Sequence, residues 1–157
     1  MLLGRSCHIL TVFFDLVTCF GVLDYFPIFD SVIMEIYRVL KLGGYMCVTL
    51  PNLASWHNRI CLLMRYQPRD VEVSSKFLVG VHPFYARRGD KPVGHIHTVT
   101  TRGFLQLTQL FGFRPVCLRG AGPVSRDGIP SYLRIIDRML SKSPFLARRF
   151  VYLAEKK

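Results

Sequence analysis

The stretch "CFGVLDY", residues 19 to 25, sets a glycine, a carboxylate and a phenol close together behind a short apolar run. Gly21 permits close approach of a ligand to the backbone, and Asp24 and Tyr25 offer a hydrogen-bond acceptor and a phenol beside it. The plainer reading makes Gly21 a turn and Asp24 a helix cap, and local physics alone favours it. A second group is "GHIHTVT", where His95 and His97 alternate. On a strand both rings would face one side, a geometry that metals use. Asp90 is the nearest carboxylate and Cys61 is distant, so no third ligand joins them, no metal site is expected, and the pair is read as exposed or pocket histidines. Asn52 follows a proline and precedes Trp56, Asn58 and Arg59; the plain readings are a helix cap for Asn52, packing for Trp56 and a solvated face for Arg59.

These side chains need elements to position them. "FDLVTCFGV" (14–22) is apolar without clean alternation and predicts a strand covered on both faces, as in a parallel sheet. From Asp30, the apolar residues Val32, Ile33, Ile36, Val39 and Leu40 recur at helical spacing with Glu35 and Arg38 between them, and Gly43-Gly44 reads as the helix stop. "YMCVTLP" (45–51) predicts a second buried strand, and "LASWHNRICLLMRY" (53–66) a helix. Strand, helix and strand with short joints form a βαβ unit with its two strands parallel. Their carboxyl ends, Cys19 to Asp24 and Pro51 to Ser55, are where an open α/β sheet binds ligands.

Residues 67–98 are broken by Pro68, Pro83 and Pro92 and by Gly80, Gly89 and Gly94, and read as a loop-rich insertion with one short strand at "EVSSKFLVG" (72–80). Thr100 or Thr101 caps a helix through "RGFLQLTQLF", with Gly112 as its stop. "FRPVCLRG" predicts a strand, "VSRDGIP" a loop, Ile135, Ile136, Met139 and Leu140 a further helix, and "RRFVYLAEKK" a closing strand. Gly120 and Gly122 in "RGAGPVSRDG" do not suit a phosphate or cofactor cradle, because Pro123 and the long loop prevent an immediate strand-to-helix turn.

A chain of 157 residues, half of them hydrophobic, forms one domain with a real core, taken as residues 1–157. Its 20% charged residues and positive mean hydropathy argue against extensive disorder. The formal charge of +11 favours an acidic partner, nucleic acid or anionic lipid, although the basic residues form small groups as on a solvated surface. Five cysteines, odd in number and without a CxxC pair, exclude a disulfide framework and fit a reducing cytoplasm. "HILTVFF" after Arg5 has the look of a leader, but Asp15 and Asp24 interrupt it and no small-residue cleavage site follows, so neither export nor anchoring is expected.

"FDLVTCFGVLDYF", then a helix ending in "RVLKLGG", then "YMCVTLPN", resembles the second half of a class I S-adenosylmethionine-dependent methyltransferase. Phe14 and Asp15, Val22 and Leu23, and Arg38 to Lys41 with Gly43 and Gly44 match that family's pattern; "TTRGFLQLTQLFGF" is similar to its late helix and "LAEKK" to its closing strand. Leu42 stands where proline is usual, and Asp24 and Tyr25 replace a common Glu-His pair. The resemblance implies a partial Rossmann-like α/β sheet, strands four to seven with flanking helices. The first three strands, with their glycine-rich turn, have no counterpart in the residues before Phe14.

By position in the motif, Cys19, Phe20, Gly21 and Val22 are expected to face S-adenosylmethionine, and Tyr25, Asn52, His95 and His97 an unknown methyl acceptor. No catalytic residue is singled out. The expectation is a truncated member of the family, inactive alone, that binds the cofactor poorly if at all. The alternatives are a non-catalytic half-domain that joins itself or another chain through an exposed sheet edge, and a basic module for nucleic acid or lipid surfaces.

Overall fold

The computed structural model describes residues 12–68, 70–83, 91–122 and 133–157. Four strands and four helices follow one another as β1 (Phe14–Phe20), α1 (Phe29–Val39), β2 (Leu40–Pro51), α2 (Trp56–Leu63), α3 (Thr101–Leu110), β3 (Phe113–Ala121), α4 (Arg134–Leu140) and β4 (Arg149–Lys156). The strands form one mixed sheet in the order β1-β2-β4-β3. β1 and β2 run parallel, as a helical crossover between them requires, and β4 lies antiparallel to both β2 and β3. This is the expected α/β arrangement, a partial Rossmann-like sheet.

Alternation along the strands sends Met46, Val48 and Leu50 of β2 and Phe150, Tyr152 and Ala154 of β4 to one face, where all are buried. Helices α1 and α3 cover that face. Phe29, Ile33, Ile36 and Val39 form the buried stripe of α1, while Glu35 and Arg38 pair on its outer side at 2.6 Å. Phe104 of α3 stacks edge-on against Phe29 and Tyr152, and the Tyr152 hydroxyl shares a hydrogen bond of 2.9 Å with Thr108. Thr100 is the cap of α3, accepting the Gly103 N–H, and Gly112 ends its last turn with φ +88.

Among the described residues, the other face of the sheet is open. Leu16, Thr18 and Phe20 stand beside Tyr45, Cys47 and Thr49, and these beside Glu155, Leu153 and Val151. None of the nine is buried. The strand β1 was expected to be covered on both faces; among the described residues it is instead an edge strand, with Phe14, Leu16 and Phe20 exposed, because it has β2 on one side only and no helix above.

The glycine pair also has a different role from the one expected. Helix α1 ends at Val39, where Leu40 turns to extended backbone, and Gly43 and Gly44 lie inside β2. Phe14 pairs with Leu40 but Leu16 with Tyr45, so residues 41–44 bulge out of the ladder. Gly43 has φ +75, and a Cβ on Gly44 would lie 2.9 Å from the Lys41 carbonyl oxygen. The helix is stopped instead by Lys156, whose ammonium donates to the Tyr37 and Leu40 carbonyl oxygens at 2.6 and 2.8 Å.

Residues 72–80 do not form the expected strand. Val73 and Phe77 are exposed, and the Ser74 hydroxyl accepts the N–H groups of Lys76 and Phe77, a local turn that competes with pairing. Helix α4 forms where expected, but Ile135, Ile136 and Met139 are exposed and the buried side chain is Asp137, which accepts from Trp56 Nε1 at 2.7 Å and faces Arg148. "VSRDGIP" and most of "ARRGDK" lie outside the described residues. Among the described residues, no helix is long and apolar enough to cross a membrane.

Candidate functional site

The carboxyl ends of β1 and β2 lie side by side because the strands are parallel. At the first of them the chain leaves the sheet through Gly21, whose φ of +62 a residue with a side chain rarely adopts. Its N–H donates to Thr49 Oγ1 of β2 at 3.1 Å. Among the described residues, no atom comes within 4 Å of where a Cβ would stand, so the backbone here faces open space. Phe20 and Val22 flank that space and are 57% and 46% exposed. Cys19 points the other way, packed against the helix-covered core, and burial pushes its thiol pKa up.

A single 3-10 turn, Leu23–Tyr25, follows and buries Leu23 and Asp24. Asp24 then organises the distant segment 95–97. Its carbonyl oxygen accepts the N–H groups of Ile96 and His97 at 2.8 and 3.1 Å, and its carboxylate accepts from His95 Nε2 at 2.9 Å. The two side chains of this ion pair are 3% and 5% exposed. The hydrogen bond to Asp24 raises the His95 pKa against the opposing effect of burial, with added help from the charges of Asp70 and Glu72. Tyr25 lays its ring 5.2 Å from that of His95, and burial and Asp24 push its phenol upward. His97 donates from Nε2 to the Pro27 carbonyl oxygen at 2.7 Å and meets Phe29 edge-on.

The side chain of Asn52, at the end of β2, is turned inward. Its amide nitrogen lies 3.0 to 3.3 Å from the carbonyl oxygens of Pro144, Phe145 and Ala147, and its oxygen accepts the Ala54 N–H. The cap position of α2 falls to Ser55. The structure thus gathers Tyr25, His95 and His97 around Asp24, sets Phe20, Gly21 and Val22 at the adjoining strand end, and commits Asn52 to holding the loop before β4.

Between these groups and the 67–72 segment lies a cavity of about 470 Å³ whose wall includes Leu53, Leu62, Asp70, Glu72, His95 and His97. The pairing of Asp24 with His95 was not foreseen. Each residue was singled out, but nothing in either local pattern points to the other. Among the described residues no group of three His, Cys, Asp or Glu side chains is placed to hold a metal ion.

The model of a methyltransferase domain matches residues 8–95, more than half of the chain. No curated protein matches the sequence. Among solved structures, an S-adenosylmethionine-dependent methyltransferase from Methanosarcina mazei is similar over 93% of this chain and 60% of its own, at 20% identity and a TM-score of 0.55. One from Thermotoga maritima is similar over 94% and 58%, at 13% identity and a TM-score of 0.54. A third, from Listeria monocytogenes, covers 94% and 63%, at 14% identity and a TM-score of 0.54. The chain therefore spans about 60% of the length of these structures. The chain belongs to the methyltransferase domain family, with the α/β sheet of its class I S-adenosylmethionine-dependent members.

Proposed function

We propose that the chain supplies one wall of the cofactor site and the acceptor side of an S-adenosylmethionine-dependent methyltransferase. The observation that carries this reading is the open space at Gly21, at the carboxyl end of β1, where among the described residues a Cβ would meet nothing within 4 Å. A left-handed glycine with exposed apolar neighbours at a parallel strand end suits a ligand with an apolar body and a polar edge. Phe20 and Val22 would hold that body, and the Gly21 backbone would come close to it. Cys19 supports the wall from behind as a neutral thiol. When bound, the cofactor supplies a methyl group on a sulfonium centre, so the protein's main task is to align the acceptor. Tyr25, His95 and His97 form the acceptor side, and Asn52 fixes the loop behind it.

Isothermal calorimetry of the chain with S-adenosylmethionine and with its demethylated product tests this reading. Saturable binding of both is expected, and absence of heat with either would overturn it. A specific observation supports a second reading. Among the described residues, strand β1 pairs on one side only and leaves Phe14, Leu16 and Phe20 exposed, so the chain would act as a half-domain completed by a second chain that adds a strand there. Light scattering behind size exclusion tests it: a concentration-dependent dimer is expected, and a monomer at all concentrations would count against self-association.

A further inference from the structure

We propose that the chain lies on anionic membrane surfaces through the face where α2 meets α4, a property separate from the cofactor reading above. Helix α4 is the reverse of an ordinary surface helix, with its polar side chains turned inward and its large apolar ones outward. Asp137 and Ser141 are buried, whereas Ile135, Ile136 and Met139 are exposed, the first and last of them by 70% and 65%. The cause lies beneath the helix. The Asp137 carboxylate accepts from Trp56 Nε1 at 2.7 Å and lies 3.5 Å from Arg148 Nε. Because that stripe is committed to polar partners, residues 135, 136 and 139 on the opposite stripe have no core to enter.

The same surface continues onto two neighbours. Trp56 opens α2, and its backbone N–H donates to the Leu146 carbonyl oxygen at 3.0 Å. Arg59, one turn on, comes within 3.5 Å of the Phe145 carbonyl oxygen. These contacts set α2 and the turn before β4 beside α4. Ile60 and Leu63, one turn beyond Trp56 and Arg59, are exposed, Leu63 by 85%, and so is Phe145 on the turn. Large apolar side chains left in water on three adjoining segments mark a surface that meets something apolar.

Charge says what that is. Arg134 and Arg138 flank the apolar stripe of α4, Lys142 follows it and Arg59 stands on α2, and all four are exposed. Within the described segments 56–65 and 133–148 the one carboxylate is Asp137, buried and held from inside. Asp70 and Glu72 belong to the cavity wall, on the Leu62 side of α2.

A second copy of the chain fits this face poorly, because a two-fold contact would set its cations against the same cations. A nucleic acid would match the charge and leave the apolar side chains with nothing to enter. A bilayer with anionic headgroups suits both, taking the apolar side chains at the acyl boundary and the cations at the phosphates. Among the described residues no helix is long and apolar enough to cross a membrane, and α4 has seven residues, so the contact is with the surface of one leaflet. Leu62, also on α2, lines the 470 Å³ cavity, so a docked chain carries that cavity near the headgroups.

Sedimentation of the 157-residue chain with vesicles tests the proposal. Vesicles of phosphatidylcholine with one third phosphatidylglycerol are expected to bind it at least tenfold more tightly than phosphatidylcholine alone, a difference that high salt reduces. Ile135→Ser with Met139→Ser should weaken binding to the anionic vesicles at least tenfold, since both side chains would leave the acyl boundary. Arg134→Gln with Arg138→Gln should weaken it too, by about fivefold for each cation removed. Met34→Ser, at a similarly exposed methionine on α1, should change nothing.

Both pairs spare Asp137 and the buried stripe, so unchanged melts are expected, and the charge pair stands as a test by itself if the apolar pair does not fold. Equal binding to the two kinds of vesicle, no binding to either, unchanged binding in either pair, or an equal loss in Met34→Ser overturns the proposal. Tighter binding to a short DNA duplex than to the anionic vesicles overturns it in favour of nucleic acid. A dimer in light scattering that Ile135→Ser with Met139→Ser dissolves overturns it in favour of self-association.

Discussion

Gly120 on β3 has the least room for a side chain of the described glycines, and replacing it with alanine tests how the loop before β4 is held. A Cβ there would lie 2.0 Å from the Ser141 carbonyl oxygen and 2.7 Å from Ala147 Cβ. Neither atom is the far end of a flexible side chain, so neither can rotate away. The 141–147 segment must retreat by about 1 Å before the first contact reaches the 3.0 Å below which real Cβ atoms are essentially never found. Overpacking of this kind costs about 3 kcal/mol, at the upper end of its range because both obstacles are fixed.

Against this, alanine loses less backbone freedom on folding than glycine, a gain of about 0.5–1 kcal/mol. The net loss is about 2 kcal/mol, which for a chain of this size lowers the melting temperature by about 4–8 °C. Circular dichroism melts of Gly120→Ala beside Gly122→Ala measure it, since among the described residues a Cβ on Gly122 meets nothing within 4 Å and should leave the melt unchanged or slightly raised. The site also reports the change. Pro144, Phe145 and Ala147 lend their carbonyl oxygens to Asn52, so the Asn52 side-chain amide resonances should move in Gly120→Ala and stay in place in Gly122→Ala. Equal melts for the two variants would refute the packing argument.

Two other predictions rest on single side chains. Burial and the nearby Arg148 charge push the His57 pKa down to about 3, so as pH falls below 6.5 the unfolded chain takes up a proton that folded His57 refuses. Stability from this group is full above pH 6.5 and is lost as pH falls toward 3, with about 2 kcal/mol gone between pH 8 and pH 5. Urea unfolding of the wild type and of His57→Gln across that range should show this slope in the first and its absence in the second; parallel profiles would disprove the assignment. Lys156→Met removes the donor to the Tyr37 and Leu40 carbonyl oxygens and should cost about 1–3 kcal/mol. The Leu40 N–H, bonded to Ile36 at the end of α1, should then exchange faster with solvent, and an unchanged rate would mean that Lys156 does not hold the helix end.

Helices α1 and α3 were legible because one-sided burial leaves a period in the chain, and Thr100 and Gly112 marked the ends of α3 by local chemistry. What was misread depends on partners far away. Gly43-Gly44 suits a helix stop and a bulge equally, and the residue that decides, Lys156, lies on the last strand. The apolar residues of β1 predict burial that none of them reaches, because whether a neighbour covers them is not written in β1. Asn52 is a good local cap, yet three carbonyl oxygens of a later loop claim its amide. Within the site, Gly21 and Asp24 were picked out by position and the histidines by type, while the Asp24–His95 bond arises only when the 91–98 segment folds back over the first turn.

The strand order has a consequence for the timing of synthesis. β4 is made after β2 and β3, yet it is the strand that lies between them. Until its residues leave the ribosome, β2 can pair with β1 alone and β3 with nothing, and the buried face has no Phe150 or Tyr152 to close it. The nascent chain therefore carries the open edge of β2 from Pro51 onward, joined by an unpaired β3 after Ala121, until β4 is made. That is when it is most exposed to pairing with the wrong strand. Closure is a single late event, the insertion of one eight-residue segment, and Lys156 at its end then locks helix α1 from the far side of the sequence.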